Sequence, residues 1–285
     1  MQTISLTLQF AYDFLKKNNV LDFKKVSEML LSFILKCKRY DLFLNLNKNI
    51  TSKEFNKYLL YLNEKILDKP IAYIINEVEF YNSVFYVDEN VLIPRVETEG
   101  LVDLAIKKIK ETSYKDKVLI DLCSGSGAIG ISIKKTLKDL KIYQADISLE
   151  ALEIAKKNAQ LNNVEIIFKE GDLLLPFENI KADFIICNPP YISKKEYDNL
   201  DKSVKNFEPK LALLAKDDGF DFYKRLEKMI PQYLKPCGKV FFEIGYMQKN
   251  EVFNIFSNKK WKNKEIIKDY YSNDRFFFLE LDSTL

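Results

Sequence analysis

The sequence predicts an α/β protein: a doubly wound sheet of mainly parallel strands with a small helical domain in front of it. Three observations carry that expectation. Short apolar runs of strand length recur at residues 118–122, 141–145, 165–169 and 183–187, with helix-like segments between them. Each run ends on polar chemistry: a glycine-rich stretch after the first, Asp146 after the second, Gly171-Asp172 after the third and Asn188-Pro189-Pro190-Tyr191 after the fourth. Ligands bind at the carboxyl ends of strands in doubly wound sheets, so this order is that of a ligand edge. The first seventy residues, by contrast, repeat their apolar positions at helical spacing.

Taken in order, Leu6, Phe10, Phe14 and Leu15 form one expected stripe, and Val26, Met29, Leu30, Phe33 and Ile34 a second. Thr51 and Glu54 have the spacing of a capping box for a third helix through Leu59, Leu60, Leu62 and Ile66, and Pro70 follows its end. Residues 1–70 are therefore expected to be a helical bundle. Residues 77–81 and 84–87 alternate around Asn82-Ser83, so 71–95 reads as a β-hairpin linker. Leu101, Val102, Leu104, Ala105 and Ile109 mark the helix that opens the remaining domain, 96–285. Polar residues 192–217 interrupt the alternation, and a loop of that length is expected to serve as a lid. Leu226, Ile230 and Leu234 mark one more helix, and residues 239–244 and 276–281 give the final strands.

A chain of 285 residues has room for an ordinary catalytic domain and a smaller companion. Its net charge of +3 lacks the basic excess of a dedicated duplex-binding domain. Cys37, Cys123, Cys187 and Cys237 are scattered without a C-x-x-C pair, as reduced thiols of a cytosolic protein would be. There is no histidine, which excludes mixed-ligand zinc sites and histidine acid–base catalysis. No apolar run nears bilayer length, and the start of the chain lacks the pattern of a signal peptide. A soluble, cytoplasmic protein without a metal centre or membrane contact is the expectation.

Asn188-Pro189-Pro190-Tyr191 is the most informative stretch. Each proline holds φ at about −65° and pushes the residue before it into extended conformations. Asn188 and the Pro189 carbonyl are thereby fixed in direction, and Tyr191 can cover the space they face. Two rigid acceptors suit a planar NH2 group, whose N–H bonds would go to the Asn188 side-chain oxygen and the Pro189 backbone oxygen. Methyl transfer to such a nitrogen is the favoured chemistry, with Asn188, Pro189 and Tyr191 as catalytic candidates. The alternative is a proline-stiffened strand exit with no chemistry.

Gly125, Gly127 and Gly130 account for three of the eight glycines in the chain and stand between the first strand and a helix. Glycine allows close approach to a ligand, and the helix N-terminus offers free N–H groups. The spacing alone fits a dinucleotide as well as a nucleoside. Asp121 tilts the reading, because a carboxylate just before the glycines repels a pyrophosphate but suits a cationic sulfonium and its amino group. Asp146 is placed for the ribose hydroxyls, with a helix N-cap as its other possible role, one that Ser148 could equally fill. Asp172 stands at the spacing of an adenine contact, although Gly-Asp is also an ordinary turn pair.

Together with these motifs, residues 90–99 (Asn-Val-Leu-Ile-Pro-Arg-Val-Glu-Thr-Glu), 208–213 (Glu-Pro-Lys-Leu-Ala-Leu), 218–223 (Asp-Gly-Phe-Asp-Phe-Tyr), 234–238 (Leu-Lys-Pro-Cys-Gly) and 242–245 (Phe-Glu-Ile-Gly) resemble the release factor glutamine methyltransferases, the PrmC/HemK family. The resemblance implies a Rossmann-like methyltransferase sheet and an enzyme using S-adenosyl-L-methionine. Its substrate would be the side-chain amide of the glutamine in the Gly-Gly-Gln motif of class 1 peptide chain release factors, with no direct DNA contact and no required ribosome contact. By that carry-over, Cys123, Ser124, Gly125, Ser126, Gly127, Asp146, Leu173 and Asn188 contact the cofactor. Asn188, Pro189, Pro190 and Tyr191 hold the glutamine, and the bundle docks the release factor. Val96 replaces a second proline of the family pattern, Cys123 and Ser124 stand where Gly and Thr are common, and Leu173 takes a position that is aromatic in some members. Three rivals remain: an adenine-N6 DNA methyltransferase, whose target amino group asks for the same geometry; a noncatalytic module on a cofactor fold; and a dinucleotide oxidoreductase.

Overall fold

The computed structural model describes residues 2–283. Two compact units divide the chain: one ends at Glu77 and takes in Asp201–Phe207, and the other comprises Val78–Leu200 and the chain from Glu208 onward.

In the first unit, β1 (Gln2–Thr3) leads into helix α1 (Ile4–Lys17), followed by α2 (Phe23–Ile34), α3 (Arg39–Leu44), β2 (Asn49–Ile50), α4 (Ser52–Ile66) and α5 (Ile71–Ile75). β1 and β2 pair antiparallel. The expected capping box is present: Glu54 N–H donates to Thr51 Oγ1 at 3.2 Å and Thr51 N–H to Glu54 Oε2 at 2.7 Å. The first stripe differs from expectation. Leu8, Ala11 and Leu15 are buried, whereas Leu6 is 59% and Phe10 40% exposed. α1 carries two adjacent apolar stripes at helical spacing, and only the partner helix decides which one faces the core. Phe10 instead stacks on Phe14 and meets Phe55 edge-on, each at 5.9 Å. In α2, Val26, Leu30 and Leu31 are buried and Met29 is exposed; in α4, Tyr58 and Leu62 are buried and Leu60 is 63% exposed.

The second unit begins with a hairpin of β3 (Val78–Phe80) and β4 (Ser83–Phe85), in which Phe80 pairs with Ser83. Its two-residue turn is Tyr81-Asn82, one residue earlier than the expected Asn82-Ser83. Both turn residues have positive φ, 47° and 55°, the geometry that matches strand twist in tight hairpins. Then come α6 (Val96–Lys110), β5 (Val118–Leu122), α7 (Ala128–Thr136), β6 (Lys141–Asp146), α8 (Leu149–Leu161), β7 (Ile167–Glu170) and β8 (Ala182–Cys187). α9 (Lys194–Asp198), α10 (Lys202–Phe207, within the first unit), α11 (Asp221–Tyr233), β9 (Leu234–Glu243), α12 (Lys249–Ile255), β10 (Trp261–Lys268) and β11 (Asp274–Leu281) complete the chain.

Seven strands form one sheet in the order β10-β11-β9-β8-β5-β6-β7, with β11 antiparallel to both neighbours and β9, β8, β5, β6 and β7 mutually parallel. Both faces are covered, as a parallel sheet requires. Ile185, Cys187, Val240 and Phe242 pack with Leu226 and Ile230 of α11 on one face. Phe184, Ile186 and Phe241 pack with Leu101, Val102 and Ala105 of α6 on the other. This is the expected doubly wound α/β sheet.

Leu234, expected to mark the helix with Leu226 and Ile230, is instead the first residue of β9, since α11 ends at Tyr233. β10 escapes the sequence reading because it is an edge strand, bonded only to β11, with four charged side chains that mask any apolar run. Residues 192–217 are not a structureless loop: they hold α9 and α10, helices too short to show a period, and Ser193 with Glu196 forms a capping box on α9. Ile192 N–H donates to Leu213 O at 3.0 Å and Ala215 N–H to Ile192 O at 2.9 Å, so the ends of the segment are pinned together. No helix among the described residues is long and apolar enough to cross a membrane.

Candidate active site

The carboxyl ends of β5, β6, β7 and β8 open onto a cavity of about 330 Å³ in the second unit. Cys123, Ser124, Gly125 and Ser126 line it from the loop after β5, Asp146 from the end of β6, Asp172 and Leu173 from beyond β7, and Asn188 and Pro190 from beyond β8. These sequence candidates are thus brought together. Gly127, Asp121, Pro189 and Tyr191 lie outside the wall.

Gly125 and Gly127 adopt φ of +51° and +81°, the left-handed region that glycine enters without strain. Cys123 sits at φ +54° without that freedom, at the position where the resemblance calls for glycine. Asp146 holds the loop from the side: Oδ2 accepts from Gly125 N–H at 2.8 Å and Oδ1 from Ser148 N–H at 3.0 Å. Burial raises its pKa, and these backbone bonds offset part of the rise. The N-cap of α8 is Ser148, whose Oγ accepts from Ala151 N–H at 3.1 Å, so Asp146 is free of that task.

Asp121 does not face the cavity. It is fully buried behind the loop, where Oδ2 accepts from Gly130 N–H at 3.0 Å and Gln144 Nε2 at 2.8 Å. Side chains alternate along β5, so Ile120 and Leu122 share one face while Asp121 points to the other, toward α7. Burial pushes its pKa up to about 7, with the Gln144 and Gly130 hydrogen bonds pulling the other way. Its role is to brace the glycine loop rather than to touch a sulfonium.

Asp172 is paired with Arg225 of α11, which also lines the cavity. At Asn188, Nδ2 contacts Thr98 Oγ1 at 3.5 Å, and Thr98 Oγ1 donates to Glu243 Oε2 at 2.7 Å. The Tyr191 hydroxyl turns inward and donates to Glu243 Oε1 at 3.2 Å; the ring therefore does not cover the cavity. Behind it, Gln248 Nε2 donates to Tyr191 O at 2.9 Å.

Several contributors carry no sequence signal of their own. Asn158 Oδ1 accepts from Tyr86 N–H at 2.7 Å while its Nδ2 donates to Tyr86 O and to Ser126 O, both at 2.9 Å. It ties the glycine loop to the chain leaving the hairpin. Gln144 Nε2 donates to Gly127 O at 2.8 Å as well as to Asp121. Glu208, buried, accepts from Ile93 N–H at 3.2 Å and from Arg95 Nη2 at 2.5 Å, which steadies Arg95 in the cavity wall.

Ser124 Oγ is the test of whether the cavity suits a nucleoside-like cofactor. It is buried in the wall and has no hydrogen-bond partner among the described residues. Buried polar groups are almost always paired, so this hydroxyl calls for a ligand partner. A hydroxyl, the Asp146 carboxylate and the apolar Leu173 fit the ribose and base of S-adenosyl-L-methionine, and Asn188 lines the same cavity.

Residues 101–207 match the Methyltransferase small domain family and residues 7–75 the PrmC N-terminal domain. The release factor glutamine methyltransferase of Clostridium acetobutylicum is 39% identical over 269 residues, 93% of this chain and 94% of its own. That of Bacillus anthracis is 34% identical over 279 residues, 96% of this chain and 98% of its own. Among solved structures, a methyltransferase from Pyrococcus furiosus aligns with a TM-score of 0.51 at 15% identity, over 81% of this chain and 98% of that one. The hMettl16 catalytic domain, solved in complex with MAT2A 3'UTR hairpin 1, aligns with a TM-score of 0.53 at 17% identity, over 84% of this chain and 83% of that one. These two share the fold.

Proposed function

The chain belongs to the release factor glutamine methyltransferase family, and on that premise we propose that it methylates the side-chain amide nitrogen of the glutamine in the Gly-Gly-Gln motif of class 1 peptide chain release factors. S-adenosyl-L-methionine, when bound, would supply the electrophilic methyl carbon, its sulfur–methyl bond breaking as the nitrogen–methyl bond forms and neutral S-adenosylhomocysteine leaving. The observation that carries the proposal is a single cavity that has the glycine loop and Asp146 in one wall and Asn188 in another.

An amide nitrogen is a weak nucleophile because its lone pair is shared with the carbonyl. Asn188 Oδ1, in the cavity wall, accepts one of its N–H bonds, and the Pro189 carbonyl, outside the wall before substrate enters, is proposed to accept the other; together they aim the nitrogen and favour localisation of the lone pair as the bond forms. Orientation of this kind supplies up to about 7–11 kcal/mol in the best intramolecular cases. The methylated nitrogen is strongly acidic and releases its proton to water, so no strong base is required of a chain without histidine. Ser124, Asp146, Asp172 and Leu173 would hold the cofactor, and Gly125 would let the backbone approach it. The N-terminal unit docks the release factor.

The test is incubation with methyl-labelled cofactor and purified release factor, read by mass spectrometry. Label is expected on the Gly-Gly-Gln glutamine and is expected to vanish when that residue is glutamate. A variant lacking residues 1–77 is expected to lose more activity on the intact factor than on a short Gly-Gly-Gln peptide. Label in duplex DNA adenine with the factor unmodified would overturn the proposal in favour of the DNA enzyme.

A further inference from the structure

Asn188 and Thr98 both belong to motifs, yet neither motif explains what sets the polarity of the Asn188 amide. Its oxygen and nitrogen ends are nearly the same size, so packing cannot choose which one faces the cavity. The choice matters. An oxygen accepts from a substrate NH2 group, whereas an NH2 group would oppose donor with donor.

Glu243 supplies the bias. It closes β9, is 2% exposed, and its two carboxylate oxygens accept from Thr98 Oγ1 at 2.7 Å and from the Tyr191 hydroxyl at 3.2 Å. Burial raises the Glu243 pKa, while the Thr98 hydrogen bond, the Arg275 charge and the Tyr191 hydrogen bond pull it back. In its ionised form the carboxylate has only lone pairs to offer, and Thr98 then spends its single proton on Glu243, the direction the geometry shows. The Thr98 oxygen is then an acceptor for Asn188, and only the Nδ2 end can satisfy it, at 3.5 Å. That contact is long, as catalytic hydrogen bonds often are before substrate orders the site. The Oδ1 end is left for the cavity. Glu243 is itself held from behind, where Tyr223 donates its hydroxyl to the Glu243 carbonyl at 2.8 Å and Arg275 Nη1 donates to Ile244 O at 3.1 Å.

Resting on the function proposed above, we infer that Glu243 is a positioning residue for methyl transfer: through Thr98 it fixes the acceptor end of Asn188 toward the substrate, and through Tyr191 it anchors the far end of the same tetrapeptide. α6, the chain just beyond β8, and β9 each contribute one member, so the relay exists only in the folded sheet.

Thr98→Val and Thr98→Ser separate this from a structural role. Valine keeps the volume and removes the relay; serine keeps the hydroxyl and removes a buried methyl. Single-turnover methylation of the release factor, calorimetric cofactor affinity and thermal melting are measured on both. Thr98→Val is expected to slow transfer about tenfold to a hundredfold with cofactor affinity unchanged, while Thr98→Ser stays near the wild-type rate although it too melts lower. Glu243→Gln, which places a donor where only acceptors stood, is expected to slow transfer as well. A wild-type rate in Thr98→Val, or an equal loss in Thr98→Ser, would overturn the relay. A wild-type protein that leaves the release factor unlabelled overturns the functional proposal itself, and the positioning role with it.

Discussion

Gly130→Ala sets two physical effects of opposite sign against each other. Gly130 lies inside α7, so helix propensity alone favours alanine by about 1 kcal/mol. The surroundings oppose it. A Cβ there would stand 2.6 Å from Gln144 Nε2 and 2.9 Å from Asp121 Oδ2, well inside ordinary contact. Both groups are buried and bonded to each other at 2.8 Å, and Gln144 Nε2 also donates to Gly127 O at 2.8 Å. Room for the methyl requires Gln144 to swing away. Leaving a buried polar group unsatisfied costs about 1–3 kcal/mol and overpacking a similar amount, so after the propensity gain the net loss is about 1–5 kcal/mol. Urea unfolding of wild type and variant at neutral pH measures the difference. In a Gln144→Ala background the same substitution should cost at least about 0.5 kcal/mol less, because the closest contact is gone. A variant as stable as wild type, or an undiminished loss in the Gln144→Ala background, would refute the account of Asp121 and Gln144 as the brace behind the cofactor loop.

Two further predictions concern the carboxylates. Asp146→Ala is expected to weaken S-adenosyl-L-methionine binding by about 1.5–3 kcal/mol in calorimetry, through lost hydrogen bonds to a charged acceptor and a loosened Gly125. Unchanged affinity would leave Asp146 as a loop tie only. Asp121 holds its proton up to about 7 when folded, against an ordinary value of 3.8. The folded state therefore binds more protons across that window, so the stability contribution is fully present below the unfolded value and is lost as pH rises through about 7. Urea midpoints measured across this range should decline with pH in wild type more steeply than in Asp121→Asn; parallel curves would count against it.

The backbone geometry around the site was legible in the sequence wherever a local rule applies. Proline restricts its own φ and its predecessor's, so Asn188-Pro189-Pro190-Tyr191 announces a rigid strand exit without any tertiary information. Gly125 and Gly127 announce a turn that other residues enter only under strain, as Cys123 does at φ +54°. The capping box of Thr51 and Glu54 and the strands of the parallel sheet are likewise short-range signals. What the folded structure alone decided is direction and partnership. Asp121 reads as a ligand because it stands near the end of a strand, just before the glycines, but alternation along β5 turns it behind the loop, onto Gly130 and Gln144. Leu8 rather than Leu6 faces the core of the helical unit, since two apolar stripes on one helix are equivalent until a partner covers one of them. Glu243, Thr98 and Asn188 are separated by up to 145 positions along the chain, and no spacing rule links them. Their hydrogen bonds exist because the sheet brings the ends of β8 and β9 beside the first turn of α6, and a buried carboxylate there imposes its polarity on whatever it touches.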